Sequence, residues 1–189
     1  MRSMLQRRRF LRAALATAVT GPELFAGSPW VYAQSWRSPD VIYLPTPNPV
    51  VDLMLEMAAV TSRDVVYDLG CGDGRIPVTA AQRYGAHGVG IDINPARIAE
   101  ARWNAHDARV EDKVKFIEGD LFEADISEAT VVTLYLLNAL NARLRPKLLK
   151  ELKPGARVVS HAFHMGDWAP EKTDGIHGSE VFLWRVPGH

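Results

Sequence analysis

The chain has 189 residues, with 22 Lys+Arg against 22 Asp+Glu, 47% hydrophobic residues and one cysteine. That length suits one domain of ordinary size, and the apolar content supplies a packed core, which excludes an intrinsically disordered chain. A single cysteine excludes an internal disulfide framework and a cysteine-based zinc knuckle, and zero net charge disfavours a general nucleic-acid binder, which needs a basic excess to neutralise phosphates.

The neutrality hides an uneven distribution. Residues 1–33 hold five of the 22 basic residues and one of the 22 acidic ones, leaving 17 basic and 21 acidic groups in residues 34–189, a formal charge of −4. The run Arg7-Arg8-Arg9-Phe10-Leu11-Arg12 precedes a mild apolar stretch over 13–20 and a Gly21-Pro22 break. It resembles a twin-arginine export signal, and Val31-Tyr32-Ala33 supplies a small-residue cleavage pattern. The apolar stretch is too short to span a bilayer as a stable helix. The expectation is a signal segment at 1–33 and one domain at 34–189 with no integral membrane span. The domain is then exported to the periplasm, or tethered to the membrane if the signal is not cleaved. The other reading, a basic amphipathic arm or a misassigned start, leaves the protein in the cytoplasm.

From there the predicted elements alternate. Asn48 as cap and Pro49 at the first helical position open a helix over 50–60. Val65–Leu69 is a short β-rich run ending in glycines, hence a buried strand. A helix over 76–84 tolerates Pro77 in its first turn. A second strand is expected over 88–93, and Asn94-Pro95 opens the next helix. Further strands are expected at 114–117, 130–136 and 157–161. Leu140, Leu144, Leu148 and Leu152 mark an apolar helix stripe before Lys153-Pro154-Gly155 stops it. A last strand is expected over 181–186. Strands separated by single helices predict right-handed crossovers and an α/β fold, a mostly parallel sheet with helices on both faces. Ligands of such sheets bind beyond the carboxyl ends of the strands.

The first strand runs into Asp68-Leu69-Gly70-Cys71-Gly72-Asp73-Gly74-Arg75. Glycines at every second position let the backbone turn sharply and approach a ligand, and the following helix aims free N–H groups at the same place. Asp92 ends the second strand within reach of a ribose diol. A nicotinamide dinucleotide is disfavoured: the fingerprint registered on Gly70 and Gly72 needs glycine at 75, where Arg75 stands, and Asp68 and Asp73 would repel a pyrophosphate. His161 and His164, three apart on an extended chain, face opposite sides, so no metal site is expected. Cys71 reads as a small residue in the turn and Trp168 as a loop anchor.

Together these residues resemble the class I S-adenosylmethionine-dependent methyltransferases, whose fold is Rossmann-like with a seven-strand-type sheet. Asp68–Arg75 is similar to their first motif, Gly90-Ile91-Asp92 to their second strand end, and Glu118-Gly119-Asp120-Leu121 to their third. The resemblance implies S-adenosylmethionine as cofactor, with Asp68, Gly70 and Gly72 at its methionine end, Asp92 at the ribose hydroxyls, and Asp120 with Leu121 at the adenine. A narrower resemblance rests on Tyr43-Leu-Pro-Thr-Pro47, Thr133–Asn138 and Phe163–Pro170. These segments are similar to the small protein-lysine methyltransferases whose mitochondrial members modify the ADP/ATP carrier and the c-ring protein of the ATP synthase. It implies a protein substrate with an accessible lysine. Residues 134–138, Leu-Tyr-Leu-Leu-Asn, lack the prolines of the Asn/Asp-Pro-Pro-Tyr sequence used on nucleobase amines, so nucleic acid is not expected as substrate. Tyr135 and Asn138 are the candidates for orienting the amine, with Tyr43 and Thr46 covering the cofactor; alternatively Tyr135 is core and Asn138 only caps the leucine-striped helix. The alternatives for the whole chain are a small-molecule N- or O-methyltransferase and a cofactor-binding protein without transfer activity.

Overall fold

The computed structural model describes residues 43–188. The segment read as a signal, residues 1–33, and the boundary at 33/34 lie outside the described residues.

The elements run α1 (Asn48–Met57), β1 (Val65–Leu69), α2 (Arg75–Tyr84), β2 (His87–Asp92), α3 (Pro95–Asp107), β3 (Val114–Glu118), β4 (Val131–Leu134), α4 (Asn138–Glu151), β5 (Arg157–His161), β6 (Lys172–Ile176) and β7 (Ser179–Arg185). They build one seven-stranded sheet in the order β3-β2-β1-β4-β5-β7-β6. β3, β2, β1, β4 and β5 pair in parallel, and β7 pairs antiparallel with both β5 and β6. The strand order reverses direction at β1/β4, so the cleft beyond their carboxyl ends is where a ligand belongs.

Strand alternation sorts the core onto two faces. Val66, Val131 and Val159 pack with Val50, Val51, Met54 and Leu55 of α1 and with Ile76 and Ala80 of α2. Cys71, Val78, Ala81, Ile98, Ala101 and Phe116 fill the space between α2, α3 and β3. On the opposite face Tyr67, Leu69, Val132, Leu134 and Val158 meet Leu144 and Leu148 of α4, with Phe182 and Trp184 of β7. Among the described residues, helices therefore lie on both faces, but unevenly: three on one and α4 alone on the other. No helix joins β3 to β4 or β5 to β6 among the described residues; residues 119–130 and 162–171 connect them instead.

Several boundaries differ from expectation for local reasons. α1 starts at Asn48 and is capped by Pro47, whose carbonyl accepts from Val50 and Val51; the Asn48 side chain makes no cap bond. Pro49 then sits in the first turn, where a missing N–H costs nothing. Asn94 does cap α3, its Oδ1 accepting from the Ala96 N–H at 2.9 Å. β4 ends at Leu134, two residues before the expected end, because Tyr135–Leu137 leave the sheet to line the cleft. α4 begins at Asn138 with Leu137 at the cap, so Asn138 is not the helix cap. β6 was not expected: Lys-Thr-Asp-Gly-Ile lies on the sheet edge with no apolar alternation to betray it. A two-residue turn at His177-Gly178, both with positive φ, folds it onto β7 as a hairpin.

Candidate active site

The carboxyl ends of β1–β5 and the segment before α1 enclose a cleft of about 570 Å³. It is lined by Tyr43, Leu44, Pro45 and Thr46 from that segment and by Asp68, Gly70, Cys71, Asp73, Arg75 and Ile76 from the β1–α2 turn. Asp92, Ile93, Asn94 and Arg97 line it after β2, and Gly119–Phe122 after β3. Tyr135–Leu137, Leu140 and Phe163 complete it after β4 and β5. Eight of the residues singled out from sequence thus share one cavity: Tyr43, Thr46, Asp68, Gly70, Asp92, Asp120, Leu121 and Tyr135. Gly72 and Asn138 are not on its wall.

Gly72 works from behind the wall. Its N–H donates to Asp92 Oδ2 at 2.9 Å, while the Asn94 N–H donates to Asp92 Oδ1 at 2.8 Å. Two backbone donors thereby fix the orientation of the carboxylate. Gly72 adopts φ +52°, and a Cβ there would meet the Tyr43 ring at 2.2 Å, so only glycine lets that ring lie over the turn. Tyr43 is also capped by the Arg97 guanidinium, 4.8 Å from the ring centroid.

Arg75, in the place where a dinucleotide fold has glycine, holds the covering segment down. Its Nη1 donates to the Thr46 carbonyl at 2.9 Å, and its Nε and Nη2 grip the Asp73 carboxylate. Burial opposes ionisation of Asp73, but the Arg75 hydrogen bonds and charge outweigh it and hold the carboxyl below its ordinary range. Thr46, itself buried, is tied a second time, its Oγ1 lying 3.3 Å from His161 Nδ1.

Asp68 is 4% exposed and receives a hydrogen bond from Thr133 Oγ1 at 2.8 Å. Burial pushes its carboxyl up to about 7; the Thr133 bond pulls the other way, and Asp92 and Asp73 add to the rise. A buried carboxyl poised this way favours a ligand that brings positive charge. Burial raises the Cys71 thiol well above its ordinary value, consistent with a packing role for that residue.

At the other end of the cleft, Tyr135 stacks on His161 with centroids 3.9 Å apart, and Phe163 lies 5.9 Å from Tyr135. Burial lowers the His161 pKa, so the ring is neutral near pH 7. His164 instead packs on Phe182, away from His161. No group of His, Cys, Asp or Glu able to hold a metal ion occurs among the described residues. Trp168 anchors its loop: its carbonyl accepts from Trp184 Nε1 at 2.7 Å. Sequence reading missed Arg75, His161 and Phe163 as parts of the site. For Arg75 the signal was its departure from the glycine pattern; the other two needed the fold to bring β5 beside β4.

Residues 68–172 match the ANTKMT methyltransferase domain family. The chain belongs to that family. This methyltransferase is 49% identical over 156 residues to a protein-lysine N-methyltransferase of Saccharolobus islandicus, a match covering 80% of this chain and 97% of the relative. It is 30% identical to a Xenopus laevis lysine N-methyltransferase of the ATP synthase c-ring protein, over 91% of this chain and 76% of the relative. Among solved structures it is similar to an RNA methyltransferase from Salinibacter ruber in complex with S-adenosyl-L-homocysteine, at 57% identity and a TM-score of 0.76, over 77% of this chain and 95% of that one. The sheet is accordingly that of the class I methyltransferases.

Proposed function

We propose that this methyltransferase uses S-adenosylmethionine to methylate the ε-amine of a lysine on a protein. The residues present fit that cofactor. The left-handed glycines at 70 and 72 leave the turn bare of side chains toward the ligand, and Asp92 presents a carboxylate, braced by two backbone donors, that suits a diol. Asp68 favours positive charge at the methionine end, and Asp120 with Leu121 borders the β3 side, where the family places the adenine. Tyr43 and Thr46 cover the cavity under the hold of Arg75. When bound, the cofactor supplies a methyl group on a sulfonium, which an amine nitrogen displaces as the neutral thioether leaves and the nitrogen's proton passes to solvent. The protein's task is then mostly positioning, which can remove several kcal/mol of the barrier.

The observation that carries lysine is the polar inventory of the β4–β5 side. The lining there is Tyr135, Leu136, Leu137, Leu140 and Phe163, so among the described residues the Tyr135 hydroxyl is its one side-chain polar group. Desolvation on such a wall favours the neutral amine that must act as nucleophile. The relatives named as lysine methyltransferases support the same acceptor. The similar protein named as an RNA methyltransferase favours a second reading, RNA as acceptor. Against it stand the charge of −4 over residues 34–189 and the pairing of the two cations that line the cleft among the described residues: Arg75 is paired with Asp73, and Arg97 with Glu100.

The test is tritiated methyl transfer from S-adenosylmethionine into a cell extract of the native source, with half of each sample treated with protease and half with nuclease. Lysine on a protein predicts protease-sensitive label that hydrolyses to methyl-lysine. Label released only by nuclease would establish the RNA reading instead, and label only in the small-molecule fraction would sink both. For residues 1–33, outside the described residues, we propose a twin-arginine-type signal on the strength of Arg7-Arg8-Arg9-Phe10-Leu11.

A further inference from the structure

The end of β5 carries a strain that nothing in the core requires. Ala162 has φ +62°, in the left-handed region that alanine avoids. The Phe163 N–H turns back to the His161 carbonyl at 2.8 Å, closing a three-residue turn of the strained kind. Such a turn persists only when its surroundings over-determine it, and strain of this sort gathers at ligand-holding sites. Here the surroundings are explicit. The Ala162 N–H donates to the Glu180 carbonyl at 2.8 Å. From α4, Asn141 Nδ2 donates to the Phe163 carbonyl at 3.2 Å and to Ser160 Oγ at 3.1 Å, and Asn138 Oδ1 accepts from the His164 N–H at 2.8 Å. Two amides one helical turn apart thus grip the Phe163–His164 segment from both sides of the peptide.

The effect of this clamp is to set the Phe163 ring into the cleft beside Tyr135, which His161 backs from behind. We propose that the His161–Tyr135–Phe163 stack is the wall of an acceptor lane for an unbranched alkyl chain ending in an amine, and that Asn138 and Asn141 are positioning residues that fix it. The facing side of the lane is aliphatic: Leu44, Leu137 and Leu140. Among the described residues no carboxylate or cation lines this end; the four carboxylates bordering the cleft, Asp68, Asp73, Asp92 and Asp120, all stand at the β1–β3 ends. A methylene chain gains from apolar walls along its length, whereas a nucleotide brings a phosphate that finds no basic group here. Phe163 is therefore the residue that selects the acceptor. The inference rests on the methyltransferase reading for the position of the cofactor, and it deepens that reading by naming the lane.

The test measures binding, so it does not depend on turnover. The probes are S-adenosylhomocysteine and two analogues in which nitrogen replaces the sulfur, one carrying a 4-aminobutyl arm and the other an arm of similar length ending in adenine. Calorimetry on the full chain is expected to show the aminobutyl analogue binding at least tenfold more tightly than S-adenosylhomocysteine, and the adenine analogue no more tightly. Phe163→Ala and Asn138→Ala are each expected to erase most of that gain while changing the S-adenosylhomocysteine affinity less than twofold. Asn138 is exposed, so its replacement leaves the core intact, and Asn138→Asp, which keeps an acceptor oxygen for the His164 N–H, is expected to restore the gain. An equal affinity of the wild-type chain for S-adenosylhomocysteine and the aminobutyl analogue overturns the lane, as does preference for the adenine arm or an undiminished gain in Asn138→Ala. A chain that shows the aminobutyl preference yet labels no lysine in extract keeps the lane and loses the protein-lysine reading.

Discussion

Asp68 shows how a single residue couples binding, protonation and stability. In the ligand-free cleft its carboxyl sits at about 7, chiefly because burial disfavours its charge. A cationic ligand favours the ionised form, so binding below pH 7 must release a proton. Cofactor affinity is therefore expected to rise with pH by up to tenfold per unit below 7 and to level off above it. Calorimetry in buffers of different ionisation enthalpy checks this at pH 6, and a pH-independent affinity would count against it. The stability consequence has the opposite direction. The folded-state pKa lies above the ordinary value of 3.8, so between those limits the folded chain holds a proton that the unfolded chain lacks. The stability this confers is fully present below 3.8 and is lost as pH rises through 7. Asp68→Asn keeps an acceptor for Thr133 but cannot ionise. At pH 8 it is expected to melt several degrees higher than wild type while binding the cofactor at least tenfold more weakly.

At the scale of elements, the two ends of the sheet divide their labour. The amino ends of β1, β4 and β5 are tied by a polar knot: Arg157 pairs with Asp64, and the Thr130 hydroxyl donates to the same carboxylate at 2.7 Å. Thr61 adds a backbone and a side-chain donor at 2.8 and 3.0 Å. Removing the acid strands a half-buried guanidinium, so Asp64→Ala is expected to cost about 3 kcal/mol, roughly 6–12 °C in melting temperature. Its cofactor affinity, measured below the new melting point, is expected to match wild type, since the cleft lies at the carboxyl ends. The same division explains what sequence could reveal. Asp68, Gly70, Gly72 and Asp92 were legible because a strand, a turn and a strand end express their chemistry within a short stretch. The grip of Asn138 on His164, or of Arg75 on Thr46, joins residues 26 and 29 positions apart and leaves no periodic trace. β6 was illegible because an exposed edge strand has no core face to pattern.

On the scale of the whole molecule, the described residues contain no helix long and apolar enough to cross a membrane. Attachment or export, if it follows the proposal for residues 1–33, therefore depends on that segment. Replacing Arg7 and Arg8 with lysine keeps the charge but removes the paired arginines a receptor would read. In fractionated cells this variant is expected to shift from the membrane and periplasmic fractions to the cytoplasm; an unchanged distribution would refute the signal. The sheet itself closes in an order unlike that of the sequence, for β7 follows β6 along the chain yet lies between β6 and β5. While the ribosome is still making residues 162–178, β5 presents an unpaired edge, and β6 has no strand to join when it emerges. The outer third of the sheet must therefore zip up in one late step once β7 is free, and a nascent chain arrested short of it would expose the very edge on which neighbouring chains could pair.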